Sequence, residues 1–229
     1  MKKWITAILM LAFAGCLEPS ERGEPFEIKE FGERIKLPEP SLDGKKSLEK
    51  TLAERRSIRD YSDEPLTIHE LSQLLWSAQG ITDPRGFRTA PSAGALYPLE
   101  IYVVLGRVEG VKPGVYKYLP QTHEIVRVVE GDMREELSTA AVGQKWVKDA
   151  AIDIVITAVY ERTTIKYGER GIRYVHFEVG HVAQNVLLQA TALDLGAVPV
   201  GAFFDEEVKR LLNLSVEEPL YIIAIGRKR

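Results

Sequence analysis

The alternation of apolar and polar positions divides most of the chain into short helices and strands. Leu71, Leu74 and Leu75 recur on one helical face, Thr67 stands at the cap with Glu70 three residues on, and Gly80 supplies a stop, so a helix is predicted between them. An earlier helix begins after Ser47, with Leu48 and Leu52 at helical spacing, and is expected to end in the arginine-rich segment at Arg55 to Arg59. Polar, turn-rich residues from Gly80 to Ala90 lead through a run of small residues into a strand over Glu100 to Leu105. Gly114 to Tyr118 and Glu124 to Val129 read as a hairpin turning across Pro120 to His123, followed by a helix from Met133 to Ala141. Ile152 to Val159 is a continuous apolar, β-branched run, the mark of a strand buried on both faces. The longest helical pattern covers Ile172 to Leu195. Ala197 to Ala202 then forms a strand, Glu206 to Leu212 a helix and Leu220 to Ile225 a final strand. Helices and strands are intermixed around one sheet, which predicts a layered α+β domain.

The N-terminal part stands outside this pattern. Met1 to Lys3 gives a positive start, Trp4 to Ala14 is an apolar run too short to span a bilayer comfortably, and the chain's one cysteine follows at Cys16. Residues 1–16 are expected to be a lipoprotein-type signal peptide with Cys16 as the lipidation site; a plain secretory signal and an uncleaved anchor are the alternatives. Any of the three places the domain outside the cytoplasmic membrane. Residues 17–44, with many charges and four prolines, read as a tether and lead-in strand, leaving 45–229 as the folded domain.

Composition changes the picture only by exclusion. A formal charge of −3 over 229 residues, without an extended basic stripe, argues against nucleic acid as a partner. His176 and His181 are five apart rather than on one helical face, so a metal site is not expected. Neither GxGxxG nor GxxxxGK is present, and no separate nucleotide-binding domain is visible.

Two segments carry candidate chemistry. Arg55, Arg56, Ser57 and Arg59 supply three guanidiniums and a hydroxyl within five residues, a donor density suited to a phosphate; the plain alternative is a charged helix end, where cations also favour the dipole. Pro91, Ser92, Ala93 and Gly94 leave little side-chain bulk, so the backbone there can approach a planar ring and offer N–H donors, or can simply turn into the next strand.

With these segments in order, and with PSAGALYP at 91–98, GQKW at 143–146, IKYGERGIRY at 165–174 and GHVAQNVLLQA at 180–190, the chain resembles the nitroreductase family from Ser47 to Arg229. The finer resemblance is to the SagB or azoline-oxidase group. It implies a central, mostly antiparallel sheet flanked by helices with a long core helix, FMN as cofactor, and a homodimer with flavin at the interface. The substrate would be a small molecule or a peptide. By this resemblance Arg55, Arg56, Ser57 and Arg59 hold the flavin phosphate and ribityl chain, with Arg227 returning to the phosphate; a charged C-terminal tail is the alternative for Arg227. Pro91, Ser92, Ala93, Gly94 and Leu96 would line the isoalloxazine from the second subunit. Gln144 would meet the pyrimidine edge, where an amide's donor and acceptor match alternating C=O and N–H groups. Pro199, Val200 and Gly201 would cover the ring near its hydride-accepting nitrogen. Lys166 and Tyr167 match the azoline oxidases' Lys-Tyr pair, implicated there in proton removal; an exposed loop pair is the alternative.

Export and a reaction consuming NAD(P)H pull against each other, because reduced pyridine nucleotide is scarce outside the cell. The expected function is therefore hydride transfer from substrate to flavin. An NAD(P)H-dependent nitro or quinone reductase and a non-catalytic flavin-binding lipoprotein remain open.

Overall fold

The computed structural model describes residues 32–229; the signal-like segment, Cys16 and most of the tether lie outside the described residues. Its strands are β1 (Arg34–Lys36), β2 (Leu99–Leu105), β3 (Gly114–Leu119), β4 (Glu124–Glu130), β5 (Ile152–Ala158), β6 (Leu195–Val200) and β7 (Glu218–Arg227). They form one sheet in the order β1-β4-β3-β2-β5-β7-β6 with antiparallel neighbours throughout. The helices are α1 (Leu48–Glu54), α2 (Ile68–Gln79), α3 (Arg134–Ala140), α4 (Lys145–Asp149), α5 (Glu161–Tyr167), α6 (Arg170–Ala192) and α7 (Asp205–Leu211).

Side-chain alternation along the strands builds two cores. Ile101, Val103, Ile154 and Ile156 pack under α2 and α6, meeting Leu71, Leu74, Leu75, Val179 and Val186. Tyr102, Val104 and Val155 face the other way, toward Leu137 of α3, Val147 of α4 and Val208 of α7. The capping box of α2 forms as its sequence predicts: Thr67 accepts from the Glu70 N–H, and Glu70 reaches back to the Thr67 backbone.

Three departures from the sequence pattern bear on the site, beyond shifts of a few residues at the ends of β6, α6 and β7. The helix α1 stops at Glu54, and the arginines lie beyond it in an extended segment in which Ser57 pairs in parallel with Ala197 and the Ile58 N–H donates to the Ala197 carbonyl at 3.0 Å. The free edge of β6 recruits that segment. In α1 itself Leu48 and Leu52 are 61% and 52% exposed, and Thr51 is the buried residue. Lys166 and Tyr167 end the helix α5 rather than lying in a loop, and α4 also has no counterpart in the pattern.

Asp153, on the central strand, is fully buried on the α3 face with no hydrogen-bond partner on either carboxylate oxygen. Burial pushes its carboxyl well above the ordinary range, and the nearby Arg134 charge only partly opposes this. Its folded pKa is thus raised above the unfolded value of about 3.9, so stability is full below that pH and declines as pH rises toward the folded pKa, by roughly 1.4 kcal/mol per unit. D153N should abolish that slope. Denaturant midpoints of both proteins at pH 5 and pH 8 check it: the wild type should fall and D153N should stay level.

Candidate functional site

The residues singled out in the sequence gather into two groups. The first is organised by β6. Pairing of Ser57 with Ala197 lays the Arg55–Arg59 segment along this strand. Arg59 places its guanidinium carbon 5.2 Å above the Trp146 ring, a cation–π contact. Arg56 turns back to the carbonyls of Ala53 and Arg55 at 2.9 and 2.7 Å, serving the orphan C=O groups at the end of α1. Among the described residues no carboxylate pairs with Arg55, Arg56 or Arg59. At the other end of the strand lie Pro199, Val200 and Gly201, with Gly201 exposed. Gln144, capping α4, donates its side-chain amide to the Ala141 and Ala202 carbonyls at 2.8 and 2.9 Å. That ties α4 to the loop after β6 and puts Gln144 beside the Pro199–Gly201 segment.

Arg227 does not join this group. Its guanidinium is held bidentately by Glu70, at 2.9 Å to each oxygen, on the α2 face of the sheet. Side-chain alternation explains the placement, since Ile223, Ile225 and Arg227 share one face of β7. The guanidinium thus has a partner in Glu70, while the backbone of the same residue runs beside the end of the arginine segment, where the Arg227 carbonyl accepts the Ser62 N–H at 2.9 Å and Lys228 pairs with Tyr61.

The second group is built on the loop before β2. Gly94, Ala95 and Tyr97 all have positive φ, at 65°, 55° and 46°. Such left-handed residues in close succession store strain that surrounding contacts must hold. Ser92 supplies one of them, accepting the Tyr97 N–H at 2.9 Å. Pro91 and Gly94 are exposed, while Ser92, Ala93 and Leu96 are half-buried. Lys166 and Tyr167 converge on this loop: a Cβ at Gly94 would lie 2.8 Å from the Tyr167 hydroxyl and 3.0 Å from Lys166 Nζ. A side chain at this position would displace both groups, and the positive φ itself favours glycine. The Lys166 amine also sits 5.4 Å from the Tyr167 ring centroid, and Tyr174 braces that ring edge-on at 5.1 Å. Lys166 is exposed and Tyr167 half-buried.

Among the described residues no hydrogen bond or ion pair joins the two groups within one chain. Between their elements runs α6, whose outer side leaves His176, Gly180, His181 and Gln184 exposed, with Ile172 and Phe177 44% and 55% exposed.

Several residues of the site region escaped the sequence reading. Glu178, in the middle of α6, is buried and bonded to Gln79 and Ser92, and burial raises its carboxyl above the usual range. An acid in an apolar helix stripe was the available signal. Arg88 stacks on Tyr97 with its guanidinium carbon 4.4 Å from the ring and donates to the Gln79 side-chain oxygen at 2.8 Å.

A seven-stranded antiparallel sheet carrying an arginine segment along one edge strand and a small-residue loop beneath a Lys-Tyr pair defines a nitroreductase-like α+β domain. The chain belongs to the nitroreductase family, whose model matches residues 52–227. A protein of Methanocaldococcus jannaschii named as a nitroreductase is 52% identical over 198 residues, covering 86% of this chain and 99% of that one. A trifolitoxin operon protein of Rhizobium leguminosarum bv. trifolii is 26% identical and covers 98% of this chain and 72% of its own length. The crystal structure of a protein from Anabaena variabilis, described as a nitroreductase, aligns with a TM-score of 0.76 at 32% identity, over 86% of this chain and 42% of that one.

Proposed function

We propose that the protein is an FMN-dependent oxidoreductase of the SagB or azoline-oxidase type, acting as a homodimer whose two flavin sites each draw on both chains. The observation that carries this reading is the convergence of Lys166 and Tyr167 on Gly94, which puts an amine and a phenol at the exposed loop before β2. The donor set beside β6 fits the cofactor: Arg55, Ser57 and Arg59 offer charge-assisted hydrogen bonds to a phosphate, and no carboxylate among the described residues competes for these arginines. FMN, when bound, supplies the acceptor for a hydride. The chain's own part is to hold that cofactor with the arginines, position substrate against the Pro91–Leu96 loop, and accept the substrate proton at Lys166 Nζ with the Tyr167 hydroxyl beside it.

The homodimer rests on the separation of the two groups within one chain and on the exposed apolar residues of α6, Ile172 and Phe177, lying between them. A second reading, a nitro or quinone reductase using NAD(P)H, is favoured by the 52% identity to the archaeal relative. Residues 1–16 are proposed to export the protein and anchor it to the membrane through a lipid on Cys16, which favours substrate over pyridine nucleotide as the electron source.

Two assays separate the readings. The dehydrogenase reading expects anaerobic flavin bleaching by a thiazoline-containing peptide and slow turnover with NADPH and a quinone. Rapid NADPH:quinone turnover with no peptide-dependent bleaching would establish the reductase instead. A flavin that neither donor bleaches would leave a binding protein.

A further inference from the structure

The sheet is split at one end. Strands β2 and β3 pair from Leu105 with Gly114 to Tyr102 with Lys117, and there the pairing stops. Beyond that point Leu99, Glu100 and Ile101 pair only with β5, and Tyr118 and Leu119 only with β4. The β3–β4 ladder shifts register between Val115 and Tyr116. Such a bulge sharpens local twist and swings the outer strands away from the rest of the sheet. The parted ends enclose a cleft of about 930 Å³, reaching both faces of the sheet and bordered by Leu96 and Tyr97. This volume is at the upper end of the range for small-molecule sites.

The charges lining it are balanced with one exception. Lys117 Nζ lies 3.2 Å from both Glu100 and Glu217, Arg162 pairs with Glu100 at 2.6 Å, and the Tyr102 hydroxyl donates to Glu217 at 3.0 Å. Burial pushes the Glu217 carboxyl up, but the charge and hydrogen bond of Lys117, together with the backbone and Tyr102, outweigh it and hold the group at about 2. Two cations thus meet two carboxylates.

Arg88 is the exception. It is half-buried, its one hydrogen bond from the guanidinium goes to neutral Gln79, and no carboxylate among the described residues lies within ion-pair distance. Two acids act on it from beyond ion-pair distance: Glu100, which is already engaged by Lys117 and Arg162, and Glu178, which is linked to it through Gln79 and is itself pushed toward its neutral form by burial. A guanidinium has five N–H donors in a planar fork, so most of this one's capacity is unused. A desolvated cation without a partner is costly, and an anion arriving in the cleft would relieve that cost.

We propose that this cleft is a binding site for a ligand bearing a carboxylate on an apolar or aromatic body, with Arg88 reading the carboxylate and Leu96, Ile101, Tyr118, Leu119 and Val159 taking the body. A carboxylate matches the planar fork bidentately with a single charge. A phosphate dianion would bring two charges to the one guanidinium left without an ion-pair partner, since Lys117 and Arg162 are already engaged by Glu100 and Glu217. The site does not depend on the flavin assignment, since none of the residues that read or hold this ligand, Leu96 apart, belongs to either proposed cofactor group.

The ligand can be a free acid or the C-terminus of a peptide, and the test separates these sources. The full chain as purified is titrated calorimetrically with 3-phenylpropanoate and its primary amide, and with Ala-Ala-Phe carrying a free or an amidated C-terminus. In at least one pair the acid should bind tenfold or more tighter than the amide, and the pair that shows the preference identifies the source. R88M, which keeps the stem packed on Tyr97, should remove the preference. L119W, which fills the cleft and leaves every charge in place, should weaken the acid at least tenfold and keeps the test alive should R88M fail to fold. Equal affinity of acid and amide in both pairs, no binding by either acid, a preference that survives R88M, or binding untouched by L119W would each overturn the proposal.

Discussion

Replacing Arg55 and Arg59 together by alanine should weaken FMN binding by about 10²–10⁴-fold. Each lost charge-assisted contact is worth roughly 1.5–3 kcal/mol, and 1.4 kcal/mol is a factor of ten. The fold should survive, because neither arginine neutralises a carboxylate among the described residues and no buried anion is orphaned. The stability loss should be confined to the stacking of Arg59 on Trp146, about 0.5–1 kcal/mol. Arg227→Ala is the informative contrast. Its guanidinium grips Glu70, which also caps α2, so this variant should lower the melting temperature and retain its flavin. Flavin content after dialysis, read beside thermal melts of both variants, checks the pair of outcomes. Loss of flavin from the Arg227 variant with retention in the double variant would move the phosphate site to the C-terminal strand.

Lys166→Met should cost about 10²–10⁴-fold in turnover of an azoline-containing peptide, the usual worth of a positioned general base. Flavin content should not change, since Lys166 lies in the group around Gly94 and not in the one around β6. Tyr167→Phe keeps the ring packed on Tyr174 and removes only the hydroxyl, so a smaller loss is expected. The same variants test the shared site. Mixing the Arg55→Ala, Arg59→Ala protein with the Lys166→Met protein yields hybrid dimers. If each site combines arginines of one chain with the lysine of the other, one of the two sites in a hybrid is intact and activity returns. If both groups serve the same chain's site, every hybrid site is defective and mixing restores nothing.

Local signals were legible in the sequence, and contacts made at a distance were not. The Thr67–Glu70 capping box and the apolar run of β5 are properties of neighbouring residues, and both form as predicted. By contrast α5 carries adjacent β-branched threonines and has no side-chain cap, and of its residues only Thr163 is buried. Its helicity comes from packing against α6, which a weak propensity signal cannot announce. The arginine segment by itself reads first as a charged helix end, and only the accompanying motifs make it an anion site. The edge of β6, remote in sequence, moved it off the helix and into an extended conformation. The meeting of Lys166, Tyr167 and Gly94 is likewise a product of tertiary folding; the resemblance named these residues, and spacing alone would not have paired them. The pairing of Arg227 with Glu70 had a signal that was available: two residues after Ile225 on one strand, Arg227 shares that residue's face of the sheet. The unpaired carboxyl of Asp153 and the lone guanidinium of Arg88 depend on what fails to surround them, and only the folded chain reveals that.

The central claim is that these residues hold FMN, and the visible absorbance spectrum of the purified full chain tests it most directly. The account predicts a yellow protein that releases FMN on denaturation at close to one per chain and bleaches on chemical reduction. A colourless protein that takes up no added FMN would contradict it.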